Sequence, residues 1–199
     1  VDYERSLRGA WRWQVYAGLA GEPALGPPGY PHRASAMPNP IGPVTHHWLD
    51  ATHVTFGLVT LGVHNQRWKA EVSAFNGREP DERRTDLDLG TFDSVAGRLS
   101  FLPTDQLALQ VSAGRLREAT TDFPFRSQPP VTRATASAMY HVPFGETGLW
   151  ATTVAFGATH AREAVSGGIL DATSVGALLE SSLTVADRHT VFSRAEVGR

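Results

Sequence analysis

Histidine is the side chain best suited to chemistry near neutral pH, and the 199-residue chain carries eight. Half of them, His32, His46, His47 and His53, lie within or beside one stretch, residues 21–51. Asp50 adds a carboxylate to that group. If Thr45 caps a short helical turn, His46, Asp50 and His53 share one face at i, i+4 and i+7. With His47 beside them they make an imidazole–carboxylate set suited to zinc, copper or nickel, although the spacing matches no established zinc motif. The chain has no cysteine, which excludes a thiolate site and a disulfide framework.

Catalytic arrangements are weaker. Ser137 and His141 fall on one face of an extended run but about 13 Å apart along it, beyond hydrogen-bond reach. Lys69 and Glu71 are same-face neighbours of opposite charge, which reads as a solvated pair. The charged stretch from Arg78 to Asp88 lacks the oxygen-ligand spacing of a calcium loop, and no glycine-rich loop precedes a helix to cradle phosphate. The pattern argues against an enzyme and calls for no cofactor. A formal net charge of −2 gives no electrostatic case for nucleic acid.

The elements that must position these residues are strands. Apolar/polar alternation, the primary signal of a half-covered strand, runs through 8–20, 67–76, 94–102, 107–115, 133–144, 149–159, 173–185 and 189–199. A ninth run, 53–63, is apolar on both faces, so its phase is not readable. In 107–115, for example, Leu107, Leu109, Val111 and Ala113 alternate with Gln110, Ser112 and Gly114. The runs are about 9–13 residues long, close to what a tilted strand needs to cross a bilayer. Arg12, Lys69, Glu71, Arg98, Arg133, Glu180, Arg194 and Glu196 all fall on the polar phase. That phase is otherwise rich in Gly, Ser, Thr and Ala, which predicts open space beside it.

Connection lengths alternate. Tight turns at 64–67, 103–106, 143–148 and 186–188 alternate with long polar loops at 21–51, 78–92, 117–131 and 160–172. Sorting loops by length onto two sides is the habit of transmembrane β-barrels. Aromatics near strand ends (Trp11, Trp13, Trp68, Phe101, Tyr140, Trp150) suit an interfacial girdle. The expectation is an all-β, antiparallel, up-and-down transmembrane β-barrel of about nine strands in one domain, with the eight charges lining its lumen. The alternative is a soluble all-β ligand-binding module with the apolar phase as its interior. That alternative requires Trp11, Trp13, Val72, Leu99 and Val111 to converge.

The hairpin-like segments 178–196 and 94–114, the latter with its Pro103-Thr104-Asp105-Gln106 turn, resemble those of Gram-negative outer-membrane β-barrel proteins. The stretch from His46 to Val54 is similar to segments of uncharacterised members of that porin-like group. The resemblance covers nearly the whole chain. It implies a bacterial outer-membrane location, the lipid bilayer as partner, and passage or binding of small solutes. The chain departs from the group in ending at Arg199 rather than on an aromatic and in showing no export signal. With an odd strand count, these departures lead us to expect an incomplete barrel.

The stretch 21–51 carries seven prolines, Pro23, Pro27, Pro28, Pro31, Pro38, Pro40 and Pro43. Each fixes φ and lowers the entropic cost of ordering the loop. The loop is therefore predicted to pack at or within the barrel mouth, with Trp48 as apolar anchor and Tyr30 and Met37 adding contact; it is a candidate constriction, the alternative being an external ligand-binding surface.

Overall fold

The computed structural model describes residues 1–52, 54–78, 87–117, 130–165 and 168–199, with the side chains of 163–165 excepted. Ten strands form one antiparallel sheet in which every strand pairs with its sequence neighbours. They are β1 (Asp2–Ser6), β2 (Arg12–Gly21), β3 (Thr55–His64), β4 (Trp68–Phe75) and β5 (Ser94–Phe101), followed by β6 (Leu107–Leu116), β7 (Val131–Phe144), β8 (Gly148–Val165), β9 (Gly168–Val185) and β10 (His189–Gly198). Helical structure among the described residues is confined to a 3-10 turn, Tyr30–His32, and one four-residue helix, α1 (His46–Leu49). Among the described residues no helix is long and apolar enough to cross a membrane, which says nothing of a β-barrel.

Two parts of the sequence-based architecture need correction. The count is ten strands rather than nine, because β1 pairs with β2 from Asp2↔Tyr16 to Ser6↔Arg12. Its residues are all exposed, and with Tyr3 as its only large apolar side chain it carries no hydrophobic alternation to read. The sheet is not closed into a barrel: among the described residues β1 and β10 each pair on one side only.

The expected fourth long loop, 160–172, is instead the far half of a long hairpin. β8 and β9 stay in register from Leu149↔Thr184 to Val165↔Gly168. Hydrophobic alternation stops at His160 because the outward phase turns polar there, while the backbone ladder continues past it. The other turns follow the residues that build them. Asn65 Oδ1 accepts from the backbone N–H groups of Arg67 and Trp68, each at 2.8 Å, and Thr104 Oγ1 accepts from Gln106 and Leu107. These are the side-chain-closed turns that Asn and Thr favour.

The phase of β3 is now fixed. Gly57 takes φ +90, and beyond it Leu58, Thr60, Gly62 and His64 share one face while Val59, Leu61 and Val63 share the other. A positive φ shifts the pleat locally, which explains why the run from 53 to 63 showed no clean alternation.

The two faces of the sheet are inverted relative to a soluble sandwich. Val72, Leu99, Val111, Val154, Phe156 and Leu179 are exposed, Val111 to 54% and Val154 to 53%, whereas Ser73, Gln110, Thr135, Arg133, Thr153 and Glu180 on the opposite phase are buried. The five side chains that a soluble apolar interior would bring together do not converge. Trp11, Val72, Leu99 and Val111 are exposed, and Trp13 packs on its neighbour Tyr3.

Candidate functional site: a polar sheet face filled by one loop

The polar face is covered by the connection between β2 and β3. Serine hydroxyls on the strands hold this loop by its backbone. Ser73 Oγ accepts from Ala24 N and Ser112 Oγ from Gly26 N, both at 2.8 Å, and Ser182 Oγ donates to Ala34 O at 2.9 Å. Ser35 and Thr153 hydroxyls meet at 2.7 Å. Short hydroxyl side chains suit this task, because they satisfy buried backbone groups without filling the space the loop occupies. Leu25 enters an apolar cluster with Leu58, Phe75, Ala96, Leu116, Val131 and Ala161, drawn from six successive strands. The sheet therefore curls about the loop.

Trp48 is the wedge at the other end. Its indole lies across Gly176 and Gly198, and its backbone carbonyl and Cβ lie on Gly157; the three glycines stand opposite one another on β8, β9 and β10. A Cβ on Gly176 would come within 2.9 Å of the indole, and one on Gly198 within 2.8 Å. Trp48 Nε1 donates to Ser174 Oγ at 2.8 Å, so the one polar atom of this half-buried ring is satisfied. The glycines that read as open space are a seat.

Beside the wedge sits a charged cluster. Arg33, which is buried, donates from Nη1 to Asp50 Oδ2 at 2.5 Å and to Pro28 O at 2.9 Å, and from Nε to Glu180 Oε1 at 2.7 Å. Ser35 donates to the same Glu180 oxygen. Arg194, directly opposite Glu180 in the ladder, places Nε 3.4 Å from Glu180 Oε2 and donates from Nη1 to Ile41 O. Glu196 Oε2 accepts from Thr45 N and Oγ1, both at 2.8 Å. Burial by itself pushes the Asp50 carboxyl up, but the His46 hydrogen bond and the Arg33 charge outweigh it and hold the group below its ordinary value. Burial likewise opposes the Arg33 charge, and Asp50 and Glu180 more than restore it.

The eight charges expected to line a lumen all lie on this face. Lys69, Glu71 and Arg98 form a chain in which Lys69 Nζ is 2.9 Å and Arg98 Nη2 3.0 Å from the Glu71 carboxylate, and Arg98 also donates to Gly26 O. Arg133 is buried and donates to Thr159 Oγ1, Glu180, Arg194 and Glu196 belong to the cluster above, and Arg12 pairs with Glu4 at the sheet edge. The structure pairs most of these groups with one another and with the loop rather than leaving them in open water.

The loop residues divide. Tyr30 packs edge-on against His46, with 5.5 Å between ring centroids, while Met37 is 62% exposed and adds nothing to the Trp48 contact. This corrects the expectation for Met37. Thr45 does stand at the N-cap of α1, but its hydroxyl goes to Glu196 rather than back to the helix. His46 Nδ1 lies 2.9 Å from Asp50 Oδ1, and the His47 ring lies 5.5 Å from that of His46. His53 falls outside the described residues. Among the described residues no group of three or more His, Asp or Glu side chains is arranged to hold a metal ion. Ser137, weighed as a partner for His141, donates instead to Gln110 Oε1 at 3.0 Å.

Sequence reasoning overlooked Arg33, the residue that ties the loop to the sheet. One signal was available: it is the sole Lys or Arg between Arg12 and Arg67, so a lone cation among prolines and apolar residues had to find a specific partner. Below the loop a cleft of about 130 Å³ remains, lined by Gln14, Tyr16, Glu22, Thr60, Lys69 and Glu71. Comparison with protein-family models, characterised proteins and solved structures finds no match to this chain.

Proposed function

We propose that this chain is the body of a bacterial outer-membrane β-barrel protein of porin-like type, in which the β2–β3 loop fills the interior and restricts passage of small solutes or holds them. The observation that supports the reading is the inversion of burial. Apolar side chains on the outward phase of eight successive strands, β3 to β10, lie uncovered while hydroxyls, amides and charges on the inward phase are buried. A protein in water has no reason to expose that much apolar sheet face, whereas a sheet facing lipid does. Hairpin ends of strongly unequal length, with tight turns at one side, add to it. The reading assigns the chain no reaction and no cofactor.

The chemistry of the interior sets what such a path would favour. Both signs of charge stand along it, largely paired, so it has no strong preference for anions or cations. The cleft beside Gln14, Tyr16 and Thr60 offers amide and hydroxyl groups to a small polar solute. The test is electrical. Reconstituted in planar bilayers, the protein should insert and conduct weakly, and deleting Pro31–Pro43 should raise single-channel conductance. Failure to insert removes the membrane reading, and unchanged conductance after deletion removes the constricting role of the loop.

A further inference from the structure

The outward phase of the sheet changes character along one line. On β8 it runs Trp150, Thr152, Val154, Phe156, Ala158 and then His160 and Arg162. On β9 Leu179, Ala177 and Val175 give way to Thr173 and Asp171, and on β6 Val111 and Ala113 give way to Arg115. These switches are in register. Arg115 stands opposite Thr132, Thr132 opposite His160, His160 opposite Thr173, and Arg162 opposite Asp171. Four adjacent strands thus turn from apolar to polar at the same height.

The other edge of the apolar band is aromatic. Trp68 and Phe101 stack with centroids 4.1 Å apart, and Tyr140 meets Trp150 edge-on at 6.2 Å. Trp150 also donates from Nε1 to Ser181 Oγ, the amphipathic placement that suits a membrane–water boundary. Along β8, Trp150 and His160 are about ten residues apart, or about 34 Å at the usual rise. A strand tilted by about 40° spans about 26 Å of height over that length, against the roughly 25 Å apolar band of membrane barrels.

Resting on the membrane reading above, we propose that Arg115, His160 and Arg162 stand at the headgroup level of the leaflet on the long-loop side and bind the phosphates of anionic lipids. The guanidinium offers a planar fork of donors that matches phosphate oxygens. Arg115 and His160 are two strands apart, about 10 Å between backbones, so their side chains reach toward one site over Thr132. Asp171 lies 3.4 Å from Arg162 and 3.6 Å from His160 and orients both without cancelling the basic excess. Beyond this line the β8–β9 hairpin continues past the headgroups, which accounts for strands longer than the bilayer requires.

The chain has no cysteine, so single reporters can be placed without background. Val154→Cys and Arg162→Cys, each carrying an environment-sensitive dye, are compared in the protein refolded into phosphatidylglycerol/phosphatidylcholine vesicles. The dye at 154 should be quenched by brominated acyl chains and the dye at 162 by aqueous iodide. If both are quenched by iodide, the membrane reading itself fails. If both are quenched only by brominated chains, the membrane reading stands and the boundary proposed here is wrong. For the phosphate contact, the readout is phosphatidylglycerol retained over phosphatidylcholine after detergent exchange. Arg115→Gln and Arg162→Gln should each lower that preference by about fivefold, and Thr132→Lys, which adds a cation on the same row, should raise it. Equal preference in wild type and all three variants overturns the headgroup site.

Discussion

The loop that fills the polar face is held by different physics at its two ends. Against β8–β10 it is fixed chiefly by charge and shape, with Arg33 between Asp50 and Glu180, Thr45 on Glu196 and Trp48 on three facing glycines, beside hydroxyl contacts from Thr153 and Ser182. Against β4–β6 it is fixed by serine hydroxyls on backbone amides, by Leu25 in an apolar cluster and by one guanidinium contact, Arg98 on Gly26 O, and a polar cleft is left beneath it. The first attachment demands particular residues, since a buried charge must meet its partners and an indole needs a seat without Cβ atoms. The second tolerates change, because any residue except proline can offer a backbone amide. If solute moves through this interior, the tolerant side, with its cleft, is where the path lies.

Removing Arg33 should break the specific attachment outright. Arg33→Ala leaves Asp50 and Glu180 buried without their shared cation, and stranding buried charges in this way costs about 3–5 kcal/mol. Equilibrium unfolding in detergent should show that loss, and limited proteolysis should cut the loop. Adding Glu180→Gln to Arg33→Ala should recover part of it. A variant as stable as wild type would mean the ion pairs do not hold the loop.

The wedge comes next. Trp48→Ala deletes a large side chain from a packed seat, a change that costs about 3–5 kcal/mol where the cavity cannot collapse; some collapse onto the glycines should place it at the lower end. Gly176→Leu should displace the indole instead, because a Cβ there already meets it at 2.9 Å. With the other four tryptophans replaced by Phe, Trp48 emission should shift to the red in that variant. Unshifted emission would show that the indole does not depend on the glycine row.

How much of this was legible follows from what alternation can encode. β6 was read nearly end to end, since Leu109, Val111 and Ala113 against Gln110, Ser112 and Gly114 state both its pleat and its faces. β3 resisted because Gly57 shifts the pleat and Leu58 is an inward apolar residue. The far half of β8–β9 was read as a loop because a hydrogen-bond ladder leaves no mark once the outward side chains become polar. The seat was invisible for a different reason. Gly157, Gly176 and Gly198 are about 20 residues apart in sequence, and only the strand register lines them up. Each was legible as a small residue, and none as part of a surface. Trp48 as anchor was legible because one large aromatic in a proline-stiffened loop needs somewhere to go.

Acid should loosen the specific end. The Asp50 carboxyl is held below its ordinary value of 3.8 by the His46 hydrogen bond and the Arg33 charge acting against burial. A depressed carboxyl contributes stability that is present above its unfolded value and is lost as pH falls through the folded one. The loop should therefore be fully held near neutral pH and loosen only below about pH 4. Asp50→Asn should lower stability at neutral pH and flatten that acid limb. An acid limb unchanged in the variant would assign it to other carboxylates.

The tolerant end should respond least. Ser73 Oγ accepts from Ala24 N and also meets Thr60 Oγ1 at 2.6 Å. Ser73→Ala removes one acceptor from a buried amide and one partner from a hydroxyl. The net cost of such a hydrogen bond is about 1 kcal/mol, and the neighbouring cleft is polar, so water can replace the lost oxygen. Ser112→Ala should behave alike at Gly26, with Thr135 relaxing onto Gln110, its other close neighbour. Both variants should keep the Trp48 emission of wild type and shift unfolding only slightly. A loss as large as that of Arg33→Ala would mean that the two ends are held by one cooperative network, and the division between a specific and a tolerant attachment would have to be given up.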